Sequence, residues 1–342
     1  MRSLLTFIVA ALMGALGIVT VHAGTAYAAG QTGAPTDRLQ VWNLNTHHMR
    51  TDSSSCGTSP CTDYREFIAY ITDPARVAYV PDIVTLQEAG TASLGVPSCQ
   101  QFVTDLQNST GGLDYHCYET AETGGSAIAY RTGRLSYVGG TMQEVQLKTR
   151  ANADADCTTL SNWYALVLRL KDDLDTSKFI NVASVHLPVV ADNASNPDAD
   201  CAWENTKSIS SAVQGLGSAS MQIMAGDWNH LDGTLNSSGQ VAWECWYKGT
   251  NVDYPGTCGT TVANLGWKDA MYRACGGDYN CLDANHWTHA STRIDFLFVK
   301  TYAVYNQVTV DYALARQSAG GAGTLAPQYS DHRGQGALLR YY

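Results

Sequence analysis

The chain has 342 residues, 31 of them acidic against 21 basic, and a formal net charge of −10 at neutral pH. That balance excludes attraction of a polyanion by the overall field and leaves such a partner to a local groove or a carboxylate-bound cation. Ten cysteines with no Cys-x-x-Cys pair, and no histidines beside them at ligand spacing, argue against a zinc framework and for disulfides.

The N-terminal 28 residues read as a secretion signal: Arg2 is the positive charge, residues 4–21 are apolar, and Ala26-Tyr27-Ala28 is an A-x-A cleavage site. A membrane anchor is the alternative, because the apolar run approaches spanning length. Gly14, Gly17 and the small residues before the cleavage site favour removal. The expected product is exported and extracellular, begins near Ala29, and has no further segment able to span a bilayer.

Leu39-Gln40-Val41-Trp42 reads as a strand that runs into Asn43, with His47 and His48 just beyond it. Residues 64–71 and 100–107 place apolar side chains at spacings of three and four, which predicts helices. Residues 82–86 form a strand ending at Gln87-Glu88, and strands follow at 115–119, 126–131, 135–138 and 163–170. Residues 179–185 run into His186, and a helix over 202–216 leads to the strand Met221-Gln222-Ile223-Met224-Ala225. That strand ends in Gly226-Asp227-Trp228-Asn229, a carboxylate and a carboxamide on the same side of extended backbone. Ordinary turn chemistry is the alternative for that segment. Residues 267–274 read as a short helix, residues 293–299 as a strand with Arg293 and Asp295 at its start, and Ser330-Asp331-His332 precedes Gly336-Ala337-Leu338-Leu339.

The continuous apolar strands suit sheets buried on both faces, and strands alternating with helices predict a layered α/β arrangement with polar strand ends on one rim. No linker or repeat divides residues 29–342, and the polar strand ends span that whole length, so a single domain is expected. Residues 236–288 are rich in Gly, Cys and aromatics and read as disulfide-braced loops near that rim. Pairing each cysteine with its sequence neighbour gives Cys56–Cys61, Cys99–Cys117, Cys157–Cys201, Cys245–Cys258 and Cys275–Cys281, although sequence alone leaves connectivity open. Sequons at Asn108, Asn193 and Asn236 are expected on surface loops.

In chain order, Asn43, Gln87-Glu88, His186, Gly226-Asp227-Trp228-Asn229, Arg293-x-Asp295 and Ser330-Asp331-His332 resemble the motifs of the endonuclease/exonuclease/phosphatase superfamily, the fold of pancreatic deoxyribonuclease. Trp42-Asn43-Leu44-Asn45 and Leu86-Gln87-Glu88-Ala89-Gly90 also look like segments of the cytolethal distending toxin nuclease subunit, a deoxyribonuclease relative. The resemblance implies a four-layer α/β (α+β) sandwich of two packed mixed sheets flanked by helices. It also implies a secreted, divalent-metal-dependent phosphodiesterase, most simply a nuclease. The ion would be Mg²⁺, with Mn²⁺ or Ca²⁺ as alternatives.

Glu88 is a hard oxygen ligand of the kind Mg²⁺ accepts, and the resemblance puts Asn43 and Asp331 on the metal side with it. His186 and His332 are the proton-transfer candidates, since imidazole titrates near neutral pH. By resemblance, Asp295 orients His332, Asp227 aligns the attacking water and Asn229 bonds the phosphate. Arg150, His289 and Arg293 are candidate phosphate or substrate contacts. One departure stands out: Ser126-Ala127-Ile128-Ala129-Tyr130 has no Glu where pancreatic-type enzymes keep one to support the first histidine, and Glu122 is displaced. A monomer acting on nucleic acid, DNA before RNA, with no stable protein partner, is expected. The alternatives are a sphingomyelinase or phospholipase C on the same core, for which Trp243-Glu244-Cys245-Trp246-Tyr247 could enter a lipid interface, and a non-catalytic binding module. Retention of every chemistry-bearing position speaks against the module.

Overall fold

The computed structural model describes residues 31–49, 55–56, 59–60, 64–89, 98–120, 125–149, 156–188, 201–229, 267–271, 288, 293–300, 310–316, 330 and 332–341. Within them lie strands β1 (Arg38–Asn45), β2 (Ser55–Cys56), β3 (Ser59–Pro60), β4 (Ile83–Gln87), β5 (Tyr115–Glu119), β6 (Ala127–Arg131), β7 (Leu135–Tyr137) and β8 (Gln143–Thr149). They continue as β9 (Thr158–Asp172), β10 (Phe179–His186), β11 (Met221–Asp227), β12 (Lys268–Asp269), β13 (Asp295–Lys300), β14 (Val310–Arg316) and β15 (Gly334–Arg340). With them lie the α-helices α1 (Arg65–Ile71), α2 (Cys99–Ser109) and α3 (Cys201–Gly215), and a 3-10 turn at His47–Met49.

The strands form a six-stranded sheet, β14-β15-β1-β4-β6-β5, and a seven-stranded sheet, β12-β13-β11-β10-β9-β7 with β8 also on β9. β2 and β3 make a small separate hairpin. Each large sheet has one parallel pair near its centre. β1 and β4 run from Val41↔Ile83 to Asn45↔Gln87, and β10 and β11 from Ile180↔Met221 to His186↔Asp227. A parallel pair needs a crossover; α1 lies on the first and α3 on the second.

Side-chain alternation along the strands builds the layers. Leu39 and Val41 of β1, Ile83 of β4, Ile180 and Val182 of β10, Met221, Ile223 and Ala225 of β11, and Leu297 and Val299 of β13 fill the core between the sheets. The opposite face of β1 turns Trp42 and Leu44 onto Phe67 and Ile68 of α1 and Phe102 and Val103 of α2. On the other side, Met224, Phe296 and Phe298 pack on Ile209 and Val213 of α3. The order is therefore helix, sheet, sheet, helix, as the resemblance implies. β11 and β13 are buried at every position because both of their faces are covered.

Cys99–Cys117 fastens the start of α2 to β5, and Cys157–Cys201 fastens the start of α3 to the approach to β9. Both match the expected pairing. Each of the other three expected pairs includes a cysteine outside the described residues. Glu119 Oε2 accepts from the backbone N–H of Cys99 at 2.8 Å and so caps α2.

Two sequence expectations are corrected. Lys268 and Asp269 form β12 on β13 rather than the first turn of a helix, which begins only at Ala270. Asn108 is exposed but lies in the last turn of α2, not in a loop. β2, β3, β8 and β14 went unpredicted. β8 is largely solvent-facing and carries only two apolar residues, Val145 and Leu147, too short an alternation to mark a strand by itself.

Candidate active site

The site continues the rows that build the core. On β1 the inner-face row Leu39, Val41 extends to Asn43 and Asn45; on β4, Ile83 extends to Thr85 and Gln87. On β10, Ile180 and Val182 lead to Ser184 and His186, and on β11, Met221, Ile223 and Ala225 lead to Asp227. Register aligns the ends: Asn45 faces Gln87, His186 faces Asp227, and Asp227 faces Asp295. Two sheets packed face to face thus bring polar ends from five strands to one rim.

Beneath the rim a buried polar ladder joins the sheets. Asn43 Oδ1 accepts from Thr85 Oγ1 at 2.8 Å and from Gln87 Nε2 at 3.0 Å. Gln87 Nε2 also reaches Ser184 Oγ on the other sheet at 3.0 Å, and Ser184 Oγ donates to Leu86 O at 2.8 Å. These bonds fix the positions of Asn43, Thr85, Gln87 and Ser184, while Asn43 Nδ2 and Gln87 Oε1 stay buried without a hydrogen-bond partner.

At the rim, His332 Nδ1 lies 2.8 Å from Asp295 Oδ2, and its Nε2 is 3.6 Å from Asp227 Oδ2. Thr288 Oγ1 accepts from the N–H groups of Ile294 and Asp295 at 3.0 Å each, which sets the start of β13. Ser330 Oγ donates to Asn45 O at 2.7 Å and accepts from His332 N at 3.1 Å, which ties the histidine to the end of β1. Across the cleft, Asn45 Nδ2 donates to Glu88 Oε1 at 3.1 Å and to Asp227 Oδ2 at 3.0 Å. His186 Nε2 stands 3.8 Å from Glu88 Oε1 and 3.7 Å from Asp227 Oδ2.

Burial pushes the Asp227 carboxyl above its ordinary value; Asp295 adds to this, while His332 and His186 oppose it. Burial also acts to raise Glu88, but His186, the Asn45 hydrogen bond, His48 and His332 together hold it below the ordinary range. Of the six non-glycine residues with positive φ among the described residues, five lie here: His47, His48, Met49, Glu88 and Asn229. Strained backbone of this kind collects at functional sites.

The structure brings together Glu88, His186, Asp227, Asn229, Asp295 and His332. Asn229 closes a turn, its N–H on Asp227 Oδ1 at 2.8 Å and its Nδ2 on Leu187 O at 2.7 Å. Asn43 sits one register step deeper than expected, and Asn45, which the sequence reading passed over, touches the two carboxylates. The alternation that puts Asn43 inward puts Asn45 inward too. Arg293 does not fit its expected role on phosphate. It is buried, its guanidinium paired with Asp269 of β12 and lying 4.4 Å from the ring centroid of Phe296. The buried Asp269 carboxylate requires such a partner. Arg150, His289 and Asp331 lie outside the described residues. Thr85, Ser184 and Trp163 were also missed. Trp163 Nε1 donates to His186 O at 2.6 Å with the two ring centroids 5.2 Å apart, so it braces the histidine that has no Glu partner on β6.

Ligand atoms of Asp227, Asp295 and His332 lie within 4.8 Å of one another, close enough for one cation. Asp295 and His332 are, however, already bonded to each other, which suits an oriented base better than an ion cage. A cation fits better beside them. There Glu88 and Asp227 converge on a single amide, and no Lys or Arg is among their partners in the described residues. Carboxylate oxygens are donors a hard divalent ion takes.

No family profile matches the chain, and no curated protein is similar to it in sequence. Solved structures are similar in fold. D. rerio TDP2 complexed with a single-strand DNA product aligns with a TM-score of 0.55 at 15% identity, over 89% of this chain and 99% of that chain. The human nocturnin catalytic domain with bound sulfate gives 0.53 at 14% identity, over 90% and 95%. An endonuclease/exonuclease/phosphatase from Bacteroides vulgatus gives 0.53 at 17% identity, over 89% and 99%. Two packed mixed sheets with polar strand ends gathered on one rim, matched over nearly the full length of these structures, give this chain the endonuclease/exonuclease/phosphatase fold.

Proposed function

We propose that the protein is an exported, divalent-metal-dependent phosphodiesterase that cleaves nucleic acid. The observation that carries this reading is the buried Asp295–His332 pair, whose second ring nitrogen, Nε2, faces Asp227 opposite Glu88. Asp295 fixes the tautomer and orientation of the imidazole, as an acid does for histidine in hydrolytic triads. Asp227, with its raised affinity for a proton, is the acceptor beside which an attacking water would be aligned. His186 faces both carboxylates and is placed to give a proton to the leaving oxygen. Glu88 and Asp227, held in place by the Asn45 amide N–H, would hold the cation, which when bound would offset charge developing on the phosphoryl oxygens.

Nucleic acid is favoured as substrate by likeness to a TDP2 structure that holds a single-strand DNA product. The acidic net charge makes a cation at the phosphate all the more necessary. Export is supported by the N-terminal signal pattern and by two disulfides, which persist in oxidising compartments.

The test is the purified exported chain with plasmid DNA, RNA and sphingomyelin, each with Mg²⁺ and with EDTA. Plasmid nicking that requires the metal and collapses in Glu88→Gln is expected. Cleavage of sphingomyelin alone would replace the nucleic-acid reading with the lipid one. Hydrolysis of none of the three would remove the enzyme reading altogether.

A further inference from the structure

One imidazole at the rim takes no part in the steps above. His48 Nε2 lies 3.3 Å from Glu88 Oε2, the carboxylate oxygen that Asn45 leaves open. Two ligands at right angles around an ion, each about 2.1 Å away, stand about 3.0 Å apart, so this pair is already near the spacing of a shared cation.

Its placement is built rather than incidental. His47, His48 and Met49 have φ of 47°, 64° and 48°, and left-handed backbone costs non-glycine residues about 1–2 kcal/mol each. The turn is held against that cost. Thr46 N and Oγ1 both bond Gln87 O, Thr46 Oγ1 also bonds Glu88 O at 2.8 Å, and His47 N donates to Asn45 Oδ1 at 3.0 Å. Met49, fully buried, anchors the far end. These ties to Asn45 and to the Gln87-Glu88 segment set the turn so that His48 meets Glu88. With a side chain 42% exposed, His48 meets Glu88 from the solvent side of the cleft, where an ion and substrate would enter.

We propose that His48 is a ligand of the cation, together with Glu88, and that this nitrogen makes the site select a first-row transition cation over Mg²⁺. The proposal rests on the metal-dependent reading above. Imidazole suits transition cations, whereas Mg²⁺ takes oxygen donors and parts with its waters reluctantly. A Glu88 site with oxygen donors alone would have no such preference built in.

The test uses Mn²⁺ alone with the intact exported chain, measured by calorimetry and by pulsed electron paramagnetic resonance, with Mg²⁺ as competitor. His48→Asn is the informative variant, because asparagine tolerates left-handed backbone and the fold should survive. The wild type is expected to bind Mn²⁺ at least about tenfold more tightly than Mg²⁺ and to show imidazole-nitrogen modulation of the bound Mn²⁺ signal. His48→Asn should lose the modulation and most of the preference while keeping its Mg²⁺ affinity, and His47→Asn should keep both. Unchanged nitrogen modulation and Mn²⁺ affinity in His48→Asn would overturn the assignment and leave the phosphodiesterase reading standing. A wild type that binds neither ion, with plasmid cleavage unaffected by EDTA, would overturn that reading along with it.

Discussion

At Asp227 burial and the neighbouring Asp295 raise the carboxyl, so the folded protein holds a proton there more readily than the unfolded chain does. The contribution of this group to stability is then most favourable at low pH. It falls as pH climbs from the ordinary carboxylate value through the raised folded one. Glu88 is lowered, so its contribution is present above its ordinary value and is lost as pH falls through the lower folded one. In EDTA, Asp227→Asn should therefore be more stable than wild type at neutral pH, and the gap should close as pH approaches about 4. The same variant should lose nearly all turnover, a trade common where charge is kept buried for chemistry. Urea midpoints measured across pH 3.5–8 decide it, and a variant less stable than wild type at pH 7 would contradict the burial argument.

Elements deliver these residues through crossovers and close backbone approach. β10 and β11 pair in parallel up to His186↔Asp227, and a Cβ on Gly226 would stand 1.8 Å from Val185 O. Only glycine lets the two strands meet just before the catalytic pair. Gly226→Ala should lower unfolding free energy by about 1–3 kcal/mol, and at temperatures where it is folded it should lose turnover well beyond that loss of stability. Calorimetric unfolding beside single-turnover cleavage separates the two effects. Wild-type turnover in a destabilised variant would show that the register tolerates the added carbon.

At the scale of the whole molecule the sandwich has two polar rims. The one away from the site is built for stability. Arg131 Nη2 bonds Asp82 Oδ1 at 2.6 Å, and Arg134 Nη2 bonds Asp172 Oδ2 at 2.9 Å together with the carbonyls of Thr36 and Arg38. Tyr341, near the C-terminus, donates its hydroxyl to Asp172 Oδ2 at 3.0 Å, and burial, then the charge of Asp172, push that hydroxyl's pKa up. Both Arg134 and Asp172 side chains are fully buried. Arg134→Met, which strands the Asp172 charge, should cost about 3–5 kcal/mol of unfolding free energy, and adding Asp172→Leu should restore only part of it, because Tyr341 Oη and Leu174 N then lose their acceptor. Cleavage per folded molecule should be unchanged in both, because the cluster lies at the opposite ends of the strands. A drop in turnover with folding intact would mean that the two rims are coupled.

Local pattern in the chain determined a great deal. The apolar rows of β1, β4, β10 and β11, each ending in Asn, Gln, His or Asp, and of β13, which opens at Asp295, are legible because strand periodicity is two and both faces are covered. Nearness in sequence was likewise enough to suggest Cys99–Cys117 and Cys157–Cys201. Tertiary structure decided what depends on register between segments far apart in the chain. Asn43 and Asn45 share one face of β1, and only the packing of the second sheet puts Asn45 against Asp227 and leaves Asn43 on Gln87. Arg293 carries the same charge whether it grips phosphate or a carboxylate, and the pairing of β12 with β13 gives it Asp269. His48 is an ordinary loop histidine in the sequence; three consecutive left-handed residues, tied to a strand some forty positions away, turn it onto Glu88. Side-chain period is a local property written along the chain, whereas which two periods meet is a global one, set by how two buried sheets pack.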